Sequence, residues 1–227
     1  MCGRFTLTVP PEVLAAHFEL ESVPAAELVA PRYNIAPTQE VAAIRLTRRG
    51  KRRLDMLRWG LVPHWAKDTS IGARLINARA ESLADKPAFR LALRRRRCLI
   101  PASGFYEWLK RGTSRGQPHL LRASAARPLA FAGLWERWSA GGDGPDLDSC
   151  TIITVEASSE VTPIHSRMPA LLEPEDFQRW LARDDDGSVG ELLRPRLGLV
   201  AQRVSERVNS DAIDDPACVE PPLTLVE

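Results

Sequence analysis

The chain has 227 residues, a formal net charge of +2, 44% hydrophobic and 26% charged residues. That balance excludes a disordered or collagen-like chain, and no apolar run approaches the roughly 20 residues a membrane-spanning helix needs. The four cysteines, Cys2, Cys98, Cys150 and Cys218, form no C-x-x-C pair. Neither a disulfide framework nor a metal site is therefore expected, and a reducing, cytoplasmic compartment fits a chain with no basic and apolar leader.

In chain order, Pro10-Pro11 ahead of Glu12, Val13, Leu14, His17 and Phe18 opens a short helix, with proline in its first turn. His17 is read as a packing or surface residue of that helix. Residues 31–39 (PRYNIAPTQ) are expected to be irregular because two prolines interrupt pairing. Val41 to Leu46 and Leu54 to Trp59 read as two strands joined by the charged turn Arg48-Arg49-Gly50-Lys51. Residues 59–66 form a loop with two tryptophans, and Ile76 to Glu81 leads into a short helix.

Pro87 to Arg96 is a second helix, with arginines at the end where the helix dipole favours cations. Cys98 to Pro101 and Gly104 to Leu109 read as strands around a turn, followed by strands at His119 to Arg122 and Leu129 to Trp135. Residues 139–148 are a surface insertion rich in Gly and Asp, and Cys150 to Val155 is an apolar strand. Pro174 to Leu181 is a helix and Gly198 to Val204 a late strand. Many strands with few short helices imply one α+β domain over residues 1–227, built on a curved antiparallel sheet or barrel.

Basic residues cluster between Arg45 and Arg53 and at Arg94 to Arg97, and acidic ones at Asp184-Asp185-Asp186 and between Asp211 and Asp215. Such a division is compatible with nucleic-acid binding, and equally with solvated turns and a helix end. Reactive side chains sit in four short segments: Cys2-Gly3-Arg4, Asn77-Ala78-Arg79, Gly104 to Trp108 with Glu107, and His165-Ser166-Arg167. If Met1 is removed, Cys2 carries an α-amine and a thiol on adjacent carbons, with ordinary pKa values of about 8 and 8.5. With an amide, a carboxyl and an imidazole, this suffices for nucleophile, orienting group and general acid or base. Each also has an ordinary role: Asn77 in a turn, Glu107 on the polar face of a strand, His165 on a surface loop.

Six motifs, taken together and in order, carry a resemblance. They are Met1 to Phe5, Tyr33 to Thr38, Trp59 to Pro63, Asn77 to Glu81, Arg97 to Pro101 with Gly104 to Trp108, and His165 to Pro169. The set resembles the SOS response-associated peptidase (SRAP) family and spans essentially the whole chain. The resemblance implies an abasic-site sensor that binds single-stranded DNA and crosslinks to the open-chain sugar aldehyde through Cys2. The amine forms a Schiff base and the thiol closes a thiazolidine, protecting the site during the DNA-damage (SOS) response. Glu107 would shuttle protons, His165 would act on the sugar ring oxygen, and Asn77 would orient the terminus.

By the same resemblance Arg4, Arg79 and Arg167 would hold phosphates, and Asn34, Pro37, Trp59 and Trp65 would face the DNA. Trp108, Trp135 and Trp180 are assigned to packing. The implied protein is a monomer that uses no cofactor or metal, and in a bacterium would be nucleoid-associated. Ser166 departs from the pattern, since many family members carry Asp there. A second reading is an N-terminal-nucleophile peptidase or amidohydrolase using the same four residues, with autocatalytic loss of Met1. A third is a single-strand or chromatin binding module without chemistry.

Overall fold

The computed structural model describes residues 2–110, 112, 116–141, 144–182 and 188–222. Met1 and the acidic run at 184–186 lie outside them. The elements in order are β1 (Phe5–Leu7), α1 (Pro11–Phe18), β2 (Arg32–Ile35), β3 (Glu40–Leu46), β4 (Arg52–Trp59) and β5 (Asn77–Arg79). Then come α2 (Pro87–Arg95), β6 (Arg97–Ala102), β7 (Gly104–Leu109), β8 (Gln117–Ala123), β9 (Leu129–Trp138) and β10 (Leu147–Glu156). The last are β11 (Arg167–Pro169), α3 (Phe177–Leu181) and β12 (Leu199–Arg203).

The fold is α+β, with a closed barrel at its centre. β10 pairs with β4, β4 with β3, β3 with β6, β6 with β9, and β9 returns to β10. A ring has no free edges, which removes the sites where a strand would recruit another chain. A second sheet, in the order β12-β8-β7-β1-β2, is antiparallel throughout. Pairing in the barrel is not all antiparallel, because β10 runs parallel to β4 and to β5.

The β3–β4 hairpin, α2 and strands β6 to β10 occur where the sequence places them, with ends shifted by a few residues. Three readings are corrected. Residues 32–35 form a strand between the two prolines, because neither proline falls on a position that must donate to β1. Asn77 to Arg79 is a strand added to β10 before a short 3-10 turn, Ala80–Ser82. β6 and β7 do not pair with each other: β6 belongs to the barrel and β7 to the second sheet. Ser103 separates them, its backbone N–H donating to Thr6 O at 2.7 Å and its hydroxyl accepting from the Thr8 N–H at 2.8 Å.

The core joins the two sheets. Phe5 of β1 stacks edge-on against Trp59 of β4, with centroids 5.2 Å apart, and against Phe131 of β9 at 5.7 Å. The first strand is thus wedged between sheet and barrel, which fixes the residues just before it. Gly60, immediately after Trp59, has φ +131°, and a Cβ there would lie 2.7 Å from Gly72 O. Only glycine allows both that backbone and that approach. His17 stacks edge-on against Phe18 and Phe177, the packing role expected of it.

Candidate active site at the amino terminus

β1 meets β7 in the register Phe5↔Phe105 and Thr6↔Gly104, and the Tyr106 N–H donates to Arg4 O at 2.9 Å. Continuing this antiparallel register brings Gly3 beside Glu107. Cys2 is fully buried, and the Asn77 side-chain amide donates to its carbonyl at 2.8 Å. Asn77 can reach because β5 is held beside Ile152 to Thr154 of β10. The Asn77 Oδ1 is buried and has no hydrogen-bond partner among the described residues. An unsatisfied buried acceptor costs stability, and this one stands ready for a donor in the site.

Glu107 is 2% exposed. Burial pushes its carboxyl up to about 7, against the opposing pull of the chain's terminal ammonium. Burial also pushes the Cys2 thiol well up, and the charge of Glu107 adds to that. Near pH 7 the Cys2 thiol therefore stays neutral, while Glu107 stands between its protonated and ionised forms. His165 follows β10 in the loop before β11. His165 Nδ1 lies 2.9 Å from the Arg167 backbone N and 3.1 Å from the Arg167 O, so the Arg167 main chain holds the ring in either tautomer. Burial, helped by nearby positive charge, lowers the His165 pKa, and the neutral ring is favoured. Ser166 is exposed and its backbone oxygen accepts from the Ala157 N–H, so the main chain of Arg167, not the side chain at 166, orients His165.

The structure separates the remaining sequence-nominated residues into two groups. Arg79 and Trp65 are exposed, Trp65 at 52%, and Pro37 is half-buried beside the exposed Thr38. Thr38 has φ 71°, and its N–H donates to Trp59 O at 2.8 Å. Trp59 and Asn34 are corrected. Trp59 is 0% exposed and its indole N–H donates to Ile76 O at 2.8 Å, so its ring has no face to offer a base. Asn34 is fully buried, and its amide donates to Ser210 O at 2.8 Å and Ile213 O at 2.6 Å while its oxygen accepts from Arg4 at 2.7 Å.

Arg4 itself is half-buried and also donates to Val208 O at 2.8 Å. Asp214 accepts from the backbone N–H groups of Tyr33 and Asn34 and from Arg32. Residues 208–214 are thus strapped beneath the segment that carries Cys2, and only their distant pairing with Arg4, Arg32, Tyr33 and Asn34 reveals it. Trp180 is buried and donates to Cys98 O, whereas Trp108 and Trp135 are only partly buried. Arg167 is paired with Glu81 through two bonds, at 2.5 and 3.0 Å. No sequence signal had joined those two residues.

A strained loop, a buried cysteine at the terminus and an amide, a carboxyl and an imidazole from three other segments define a protein built around its own first residues. The family model for SOS response associated peptidase (SRAP) matches residues 1–211, and the chain belongs to that family. Curated relatives include "Abasic site processing protein YoqW" of Bacillus subtilis, 38% identical over 97% of this chain and 99% of that one. "Abasic site processing protein YoaM" of the same species is 42% identical over 80% of this chain and 79% of its own. "Abasic site processing protein HMCES" of Mus musculus is 30% identical over all of this chain and 78% of its own. A crystal structure from Bacteroides thetaiotaomicron matches with TM-score 0.87 at 23% identity, over 98% of this chain and 100% of that one, and so shares the fold. No helix among the described residues is long and apolar enough to cross a membrane.

Proposed function

We propose that this protein processes abasic sites in single-stranded DNA by joining them covalently to Cys2 once Met1 has been removed. The observation that carries the reading is the Asn77 amide holding the Cys2 carbonyl at 2.8 Å, with the raised Glu107 carboxyl in the neighbouring strand. The free amine of Cys2 adds to the C1 aldehyde of the ring-opened sugar. The resulting carbinolamine loses water, with a proton supplied by Glu107, and leaves an imine. The Cys2 sulfur then adds to the imine carbon while the thiol proton passes to the nitrogen, closing a thiazolidine. One water leaves and no redox partner is needed. His165 supplies a proton donor for the sugar ring oxygen during opening.

The raised thiol favours this order of events. A cysteine peptidase works through a thiolate, stabilised by nearby positive charge. Here burial and the Glu107 charge oppose the thiolate, so the amine attacks first and the thiol follows as a neutral trap. The charge environment of the thiol supports crosslinking over the peptidase reading. The exposed Arg79 and Trp65 are the nominated groups best placed to meet phosphate and base, the latter by stacking worth roughly 1–3 kcal/mol.

Mixing the mature protein with single-stranded DNA that carries one abasic site tests the reading on a denaturing gel. A shift that survives denaturation and vanishes in Cys2→Ala is expected. Peptide cleavage without a shift would establish the hydrolase instead. Salt-sensitive binding unaffected by Cys2→Ala would leave a non-covalent binding module.

A further inference from the structure

The pairing of Arg167 has a functional edge. Both terminal nitrogens of its guanidinium face the Glu81 carboxylate, at 2.5 and 3.0 Å, and one also donates to Thr154 O at 2.6 Å. Its Nε is buried with no partner among the described residues. The Arg167 side chain is 15% exposed and that of Glu81 54%, so the carboxylate lies on the solvent side of the pair. Two parallel N–H to O bonds are the arrangement by which a guanidinium binds carboxylate and phosphate alike. Glu81 thus occupies the face a phosphate would use.

The two residues come from opposite edges of β10. Thr154 pairs with Arg79 of β5 on one side and with Pro169 of β11 on the other. Glu81 follows β5 by two residues, and its bond to Arg167 passes over the strand between them. Arg79, on the same segment, makes no ion pair among the described residues. One arginine of the site is therefore open and the other covered.

We propose that Glu81 is an intramolecular stand-in for a DNA phosphate, which must yield Arg167 before a phosphodiester can dock there. The inference rests on the proposed function, since it takes single-stranded DNA as the ligand. Glu81 then sets how tightly the strand is held, and Arg167 is kept in position, with its N–H on His165, until DNA arrives. Glu81 lies on the solvent side, so its carboxylate regains water on leaving while the phosphate takes over both bonds to Arg167.

The test is the affinity of Glu81→Gln for an undamaged single-stranded oligonucleotide, measured by fluorescence anisotropy so that no covalent capture intervenes. Glutamine keeps the shape and removes the competing charge. Binding several-fold tighter than wild type is expected, with the gain lost when Arg167→Ala is added. Adding Arg167→Ala to Glu81→Gln should flatten the log–log salt slope by about 0.7, one phosphate fewer neutralised on a single strand. Unchanged or weaker binding by Glu81→Gln would overturn the inference, because a carboxylate that merely braces Arg167 would weaken binding when removed. Crosslinking of an abasic oligonucleotide by the wild type is run alongside. Its failure would sink the proposed function, whereas normal crosslinking with no gain from Glu81→Gln would sink this inference alone.

Discussion

Replacing Asn34 by alanine is expected to cost about 3–5 kcal/mol of folding stability, although the residue touches none of the reacting groups. Its amide donates to Ser210 O and Ile213 O, and its oxygen accepts from Arg4, all within 2.6–2.8 Å in a place with no solvent access. Alanine removes all three bonds in a buried place, although Ser210 O keeps the Ile213 N–H and Arg4 keeps Val208 O. A neutral hydrogen bond is worth about 1 kcal/mol and one to a charged group about 1.5–3 kcal/mol. Their sum is a large part of the roughly 5–15 kcal/mol that holds a domain together. Urea denaturation followed by tryptophan fluorescence measures it. Crosslinking should also slow at temperatures where the variant stays folded, because Arg4 lies two residues from Cys2. A loss below about 1 kcal/mol would refute the strap and return Asn34 to the DNA-facing role its motif had implied.

Four further outcomes are expected. Crosslinking by the wild type should fall as pH rises through about 7, where Glu107 loses its proton, and Glu107→Gln should be slower throughout without that fall. An alkaline limb that persists in Glu107→Gln would assign it to another group. Because the folded pKa of Glu107 is raised, its contribution to stability is full below the ordinary value of 4.5 and is lost as pH rises towards 7. Denaturation at pH 5 and pH 8 should show this loss in the wild type and a smaller one in Glu107→Gln.

Gly60→Ala should lower Tm by roughly 5–10 °C, from a few kcal/mol of backbone strain and the clash with Gly72 O; an unchanged melting curve would contradict the strained loop. Arg79→Ala should weaken single-strand binding and flatten its salt slope by about 0.7, while an unchanged slope would remove Arg79 from the phosphate contacts.

Elements that form locally were legible in the sequence. The β3–β4 hairpin declared itself through the Arg48-Arg49-Gly50-Lys51 turn between apolar runs, and α2 through its proline start and arginine end. What escaped was set by distant partners. β5 and β11 have three residues each, too few for any periodicity, and exist because β10 offers them both edges. The separation of β6 from β7 depends on Thr6 and Thr8 reaching Ser103, nearly a hundred residues away.

The same division runs through the site. Cys2, Asn77, Glu107 and His165 were nominated by their chemistry together with the ordered motifs around them, each having an ordinary role when read alone. Of the four, the structure shows Asn77 bonded to Cys2 and the Glu107 charge acting on the Cys2 thiol. Trp59 and Asn34 were misassigned because motif membership does not distinguish a residue facing DNA from one buried behind the site. The Glu81–Arg167 pair spans 86 residues and left no pattern to read.

The central claim is that one residue supplies both bonds, the amine opening the linkage and the thiol locking it. Intact mass spectrometry of the wild type mixed with an abasic oligonucleotide tests it most directly, with Cys2→Ser measured in parallel. The expected wild-type species is the chain without Met1 plus the oligonucleotide less one water, stable without any reducing agent. Cys2→Ser should give an adduct that survives only after borohydride reduction of the imine. An equally stable unreduced adduct from Cys2→Ser, or a wild-type adduct that still carries Met1, would contradict the account.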